Sequence, residues 1–184
     1  MQPVLVQSVD APSDRGLLAR STDGDQDAFR TFYERHVGAV FGYVSGRVGP
    51  GAAEDLTSET FVEAWNARSR FDPRMRSARP WLYGIATNVV ARHREREERW
   101  LASIDTARER TDDRVEPLGI QVDIDLARAL RRLSPPLRDV LLLTAIADLR
   151  VADAARALGI STVAARVRLH RARSIVSSEL GDPT

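Results

Sequence analysis

Cysteine and lysine are both missing from this chain. Without cysteine there is no disulfide framework, thiolate nucleophile, Cys-ligated zinc or iron–sulfur centre, or thiol redox switch. Without lysine, the 27 cationic side chains that face 26 acids are all arginine, whose planar donor fork bonds base edges and phosphates alike. No stretch approaches the roughly 20 apolar residues of a membrane span, and the N-terminus lacks the basic start and apolar core of a signal peptide. A cytoplasmic chain without membrane insertion is expected. His36, His93 and His170 are scattered and unpaired with any nucleophile, and neither a Gly-rich phosphate loop nor a metal-spaced cluster occurs. The sequence therefore argues against an enzyme and implies no cofactor and no metal.

What is present is a globular composition, 43% hydrophobic and 29% charged, over 184 residues, a length that suits two small domains. The formal charge of +1 conceals alternating blocks. Residues 50 to 65 carry −4, from Glu54, Asp55, Glu59 and Glu63, and residues 66 to 99 carry +5. Residues 101 to 125 carry −4 and residues 126 to 184 carry +5. Two basic blocks around an acidic one point to two polyanion-binding modules on a connector.

Hydrophobic periodicity is helical almost throughout, which predicts an all-α protein. A polar extension, 1–23, precedes Ala28, Phe29, Phe32, Tyr33, His36, Val37, Val40, Phe41 and Val44, one face of a long helix that Gly49, Pro50 and Gly51 end. A second helix, about Ala52 to Ala67, turns Leu56, Thr60, Phe61, Ala64 and Trp65 inward and its acids outward. Asp72-Pro73 and the arginines from Arg68 to Arg79 form a loop, and Pro80 opens a helix with Trp81, Leu82, Ile85, Ala86 and Val89 inside. Asn88, Arg92 and Arg96 are left for solvent or a ligand. The mixture of Arg74, Arg76 and Arg79 with Trp81, Tyr83 and Asn88 suits single-stranded nucleic acid, whose bases stack on aromatics; the alternative is that Trp81 and Tyr83 are core residues, which for Trp81 is the preferred reading. A first domain at 24–100, a flexible acidic linker at 101–123 and a second domain at 124–184 follow.

The second domain reads as four short helices. Ser134 before Pro135 and Pro136 is a cap with proline in the first turn. In VADAARALGISTVAARVRLHRAR, small Ala154 and Ala155, apolar Leu158 and Ile160, and a turn at Gly159 make a helix-turn-helix signature. Its last helix starts at Ser161 or Thr162. Arg166 and Arg168 are the groove candidates, and His170, Arg171 and Arg173 are placed for backbone phosphates. A solvated amphipathic helix is the plainer alternative.

The four blocks, in this order and spacing, resemble the sigma-70 family of bacterial transcription initiation factors, specifically the extracytoplasmic-function (ECF) type with only the second and fourth sigma domains. DQDAFRTFYERHVGAVFGYV resembles the opening of the second domain, AEDLTSETFVEAW its polymerase-docking helix, and RFDPRMRSARPWLYGIATNVVARHR its −10-reading and melting part. RLSPPLRDVLLLTAIADLRVADAARALGISTVAARVRLHRAR resembles the fourth domain, which reads the −35 element. The resemblance implies that Asp55, Glu59 and Phe61 dock on core RNA polymerase, and that Arg74, Arg76, Arg79, Asn88 and Arg92 hold the opened −10 strand. It places Thr162, Arg166, Val167, Arg168, His170, Arg171 and Arg173 on −35 DNA. The acidic connector matches the family's inter-domain linker, and an anti-sigma factor is a further partner to expect. Ser58 stands where the family often has glutamine, and Val167, where a hydroxyl is usual, suits a thymine methyl. The other readings are a free-standing helix-turn-helix regulator binding duplex DNA as a dimer, and a purely protein-binding helical module.

Overall fold

A computed structural model describes residues 12–104 and 124–180. Eight α-helices, and no strand, occur among them: α1 (Asp14–Thr22), α2 (Gln26–Val48), α3 (Pro50–Ala67), α4 (Arg79–Ile104), α5 (Ile124–Arg132), α6 (Pro135–Ala145), α7 (Val151–Ala157) and α8 (Thr162–Leu180). A 3-10 turn at Arg68–Arg70 follows α3.

The first half is built on α2. Asp25 caps it by accepting from the Ala28 N–H at 3.0 Å, and Arg20 holds the same carboxylate at 2.6 Å. Phe32, Val40, Tyr43 and Val44 on its inner face are buried with Leu56, Phe61 and Ala64 of α3 and Leu82, Ala86 and Val89 of α4. Gly49 ends α2 at φ 82° and leads straight into Pro50, so α3 begins at the proline instead of at Ala52. Phe29 meets Trp65 edge-on at 5.0 Å, and the Arg68 guanidinium lies 3.7 Å over the Trp65 ring while donating to the carbonyls of Ser21 and Trp65.

Two boundaries differ from the sequence reading. The stretch taken as a polar extension contains α1, whose Leu17 and Leu18 are buried in the first core. Ser13 caps it through the Gly16 N–H, and Asp14 takes bonds from Arg35 at 2.6 Å and His36 at 2.8 Å. Burial alone would raise the Asp14 carboxyl, but these two partners outweigh it and hold the group below the ordinary 3.8. At the other end, α4 runs on to Ile104 where a linker was expected from 101. Glu95, Glu97 and Glu98 with Arg92, Arg94, Arg96 and Arg99 are good helix formers that sustain it past the last apolar contact. Residues 105–123, the rest of the expected linker, lie outside the described residues.

In the second half, α6, α7 and α8 pack around Ala129, Leu133, Val140, Leu143, Ala154, Ala155, Ala165, Leu169 and Ala172. Ser134 has the extended backbone of a cap, but its side chain makes no cap bond; Pro135 has no N–H to offer and the Leu137 and Arg138 N–H groups go to the Ser134 carbonyl. The turn between α7 and α8 is as the sequence dictates. Gly159 sits at φ 62°, in the left-handed region, and Ser161 accepts from the Ala164 N–H to start α8.

The two halves share one apolar core, because Leu142, Leu143, Ala147, Leu149 and Ala154 join the residues of α2 and α4. Three glycines let the backbones approach. A Cβ on Gly46 would meet Leu142 Cδ1 at 3.0 Å, one on Gly42 would meet Ile146 Cγ2 at 3.3 Å, and one on Gly84 would meet the Ala157 carbonyl oxygen at 3.4 Å. Beside this seat Arg47 of α2 is ion-paired with Asp139 of α6, both largely withdrawn from solvent. Burial pushes the Arg47 guanidinium down to about 10, so it remains charged at neutral pH and needs that carboxylate.

Candidate functional site

Three surfaces emerge from this packing. The first is the outer face of α3. Burial of Leu56, Thr57, Thr60, Phe61 and Ala64 fixes the rotation of the helix, which leaves Glu54, Asp55, Ser58 and Val62 exposed with Glu59 and Glu63 half-exposed at the edge. Asp55, Ser58, Glu59 and Val62 stand at positions i, i+3, i+4 and i+7, so they form one stripe. Phe61, expected among the docking residues, is only 4% exposed and packs edge-on against Tyr33 at 4.7 Å. It therefore orients the stripe from beneath instead of offering its ring. The apolar member of the stripe is Val62, 58% exposed, which sequence reasoning passed over. Its position one turn from Glu59 and two from Asp55 was the available signal.

The second surface is the loop between α3 and α4 with the outer face of α4. Phe71 is buried against Trp81 at 5.4 Å, which anchors the loop's start. Asp72 then accepts from the Arg74 N–H at 2.9 Å, a local turn that holds Arg74 and Arg76 exposed. Asn88 is exposed as expected. Tyr83 is not available for base stacking: it is 1% exposed and meets Tyr43 edge-on at 5.5 Å. Burial pushes its hydroxyl up to about 12, against the opposing pull of Arg79. Trp81 is half-buried on Phe71, in keeping with a core position.

Three arginines of this surface already have partners. Arg79 donates to the carbonyl of Ala147 in the second half. Arg92, read as free for a ligand, reaches Glu63 and also Glu59 at 3.4 Å, and Arg96 joins Glu59 at 3.6 Å. The acids of the first surface and the cations of the second thus form one network across α3 and α4. Its members are between about a third and three-fifths exposed, so each pair is weak and exchangeable, worth about 0–1 kcal/mol.

The third surface is α8. Ala165, Leu169 and Ala172 are buried and set its inner face, leaving Arg166, Val167, His170, Arg171 and Arg173 exposed and Thr162 and Arg168 half-exposed. Val163, 67% exposed at the first turn, is an apolar group the sequence reading did not single out. Glu179 is the one acid of this helix among the described residues, and it pairs with Arg132 at 2.8 Å, away from the arginine cluster. An exposed helix with a capped N-terminus after a tight turn and an unneutralised arginine face is the geometry of a groove-reading helix.

Comparison with known proteins finds matches to both halves of the chain. The model of sigma-70 region 2 matches residues 32–100, and that of sigma-70 region 4 matches residues 123–175. Over 172 residues the chain is 33% identical to the RNA polymerase sigma factor CarQ of Myxococcus xanthus, covering 90% of this chain and 96% of that protein. It is 32% identical to the sigma factor CnrH of Cupriavidus metallidurans over 182 residues, 91% of this chain and 94% of that one. The solved structure of CnrH in complex with the cytosolic domain of CnrY superposes with a TM-score of 0.69 at 30% identity, covering 94% of this chain and 100% of that chain. The sigma factor RpoE bound to the anti-sigma factor NepR, from Bartonella quintana, shares the fold at a TM-score of 0.71 and 21% identity. The chain belongs to the sigma-70 family, as an RNA polymerase sigma factor of the ECF type.

Proposed function

We propose that this factor binds core RNA polymerase through the α3 stripe, reads the −35 element with α8 and the −10 element with the loop before α4, and promotes melting there. The observation that carries this is the joint exposure of three charge-matched surfaces, acidic on α3 and basic on the α3–α4 loop and α8, within a chain that aligns with sigma factors over nine-tenths of its length. Asp55, Glu59 and Val62 meet the polymerase, and Phe61 holds them in place. Arg74, Arg76 and Asn88 meet the opened strand at once, whereas Arg79 and Arg92 join only after leaving their present partners. Arg166, Val167 and Arg168 enter the major groove, and Thr162, His170, Arg171 and Arg173 take phosphates.

The role is that of an initiation factor; bond-making stays with the polymerase, and this chain contributes binding and strand separation. A factor that works on polymerase at promoters acts in the cytoplasm, on the nucleoid when polymerase-bound. CnrH and RpoE were each solved with a partner protein, and a comparable anti-sigma partner that covers α3 or α8 is proposed here. A free-standing dimeric regulator is not supported, since the matched relatives are sigma factors across both halves of the chain. Run-off transcription with core enzyme tests the reading. Promoter-dependent transcripts that disappear in Arg166→Ala/Arg168→Ala, with polymerase binding retained, are expected; a chain that neither binds core enzyme nor yields such transcripts from any genomic fragment refutes it.

A further inference from the structure

Three clefts meet at Arg76 and Ser77 in the loop before α4, and their charge balance separates them. In the two that lie towards α7, Asp153 faces the arginines, together with Asp72 in one and Asp148 in the other. The third, of about 620 Å³, lies between that loop, the start of α1 and the middle of α2. Its walls carry Arg15, Arg35, Arg76 and Arg79 against one carboxylate, Asp14. Both oxygens of that carboxylate are taken, one by Arg35 at 2.6 Å and the other by His36 at 2.8 Å. Arg79 is committed to the Ala147 carbonyl. Arg15 and Arg76 are exposed and have no acid partner among the described residues.

The hydroxyls add to the same balance. Ser13 Oγ accepts from the Gly16 N–H and Ser77 Oγ from the Arg79 N–H, so each keeps its own hydrogen to donate. The cleft is therefore a set of donors around a volume within the range of about 300–1,000 Å³ usual for small-molecule sites. Such a set fits a compact anion with several charges, because a guanidinium fork takes two phosphate oxygens at once. A nucleobase finds no platform there. Among the described residues the ring on its wall is the His36 imidazole, which is buried and lies against Phe32 at 4.7 Å, whereas base binding relies on exposed aromatic faces.

We propose that the cleft binds the diphosphate or triphosphate group of a soluble small molecule, held by Arg15 and Arg76 with Ser13 and Ser77. Resting on the sigma-factor reading above, the occupant takes Arg76 away from the opened −10 strand, so the two compete. A strand presents its phosphates one charge at a time, while an oligophosphate brings several charges into the space where these donors converge. Arg15, on α1, serves the cleft and lies outside the set assigned to the strand.

Calorimetric titration of the full-length chain with inorganic pyrophosphate, and separately with ATP, in magnesium-free buffer of constant ionic strength tests the cleft. Saturable one-to-one binding of both is expected where the rest of the molecule stays outside; binding of pyrophosphate alone assigns a free inorganic diphosphate. Arg15→Gln should weaken binding by about tenfold or more with helix content unchanged, whereas Arg166→Ala/Arg168→Ala, on the α8 surface, should bind as the wild type does. With the holoenzyme and a premelted −10 strand, saturating pyrophosphate should displace most of the bound strand from the wild type and little from Arg15→Gln. No saturable binding of either anion, or an Arg15→Gln chain that binds like the wild type, overturns the cleft. Strand binding indifferent to the anion overturns the competition. A wild-type chain that binds the anion yet forms no holoenzyme would instead sink the sigma-factor reading and leave the cleft standing.

Discussion

The contact between Tyr43 and Thr87 predicts an unequal double-mutant cycle. Thr87 Oγ1 donates its single hydrogen to the Tyr83 carbonyl at 2.7 Å, so in the 2.9 Å contact with Tyr43 it can only accept, and the tyrosine hydroxyl is the donor. Tyr43 is fully buried, and burial raises its hydroxyl above the ordinary value of 10. Tyr43→Phe keeps the edge-on ring contact with Tyr83 and leaves only an unfilled lone pair on Thr87, a cost of about 1 kcal/mol. Thr87→Val keeps the side-chain shape but strands a buried O–H donor, a cost of about 2.5 kcal/mol. With both changed no donor is stranded, and the double variant should lose about 1.5 kcal/mol, well short of the sum. Urea unfolding followed by tryptophan fluorescence suits the assay, because Trp65, Trp81 and Trp100 all lie in the first half. Equal costs for the two single variants, or costs that simply add, would refute the assigned hydrogen-bond direction. The functional stake is the register of α4, since Thr87 precedes Asn88 and this contact helps set how far that side chain is turned out.

Other outcomes follow from the same structure. Gly159→Ala forces a side chain into the left-handed region and should cost about 1–2 kcal/mol by thermal unfolding, whereas Gly38→Ala, in open space within α2, should gain about 0.5–1 kcal/mol. The Asp14 carboxyl is held below 3.8, so its contribution is complete above that pH and is lost as pH falls through the lower folded value; Asp14→Asn should flatten the acid limb of the stability profile, and an unchanged limb would contradict the pairing with His36 and Arg35. Arg171→Ala/Arg173→Ala should reduce the salt dependence of promoter binding by the holoenzyme by about 2 in log–log slope without changing sequence preference. Val62→Asp should weaken capture by core polymerase in a pull-down while leaving helix content unchanged, because the side chain touches solvent and not the core.

Much of this protein was legible from residues alone, for reasons that are local. The burial of Phe32, Val40 and Val44, of Leu56, Thr60 and Ala64, and of Leu82, Ala86 and Val89 follows from a spacing of three and four that any amphipathic helix must obey. Gly159 and Ser161 specify the turn into α8 through backbone conformation and a cap, again within a few residues. Charge blocks located the basic and acidic surfaces because helix formation carries neighbouring like charges to one region. Helix α1 was missed because its apolar content is little more than Leu17 and Leu18, although Ser13 and Asp14 form a start signal.

The sequence by itself determined the all-α character, two helical units, the helix-turn-helix and which side chains carry charge. Only the tertiary structure decided which of those side chains are free. Periodicity names the face a helix buries but not what covers it, so the burial of Tyr83 and the Arg92 bonds to Glu59 and Glu63 depended on a neighbouring helix. The tie between Arg79 and Ala147 joins residues 68 positions apart, and the seat of α6 on Gly42 and Gly46 depends on the shape of two surfaces together. Such contacts have no local signature, because their energy comes from the fit of surfaces that the chain brings together only when it folds.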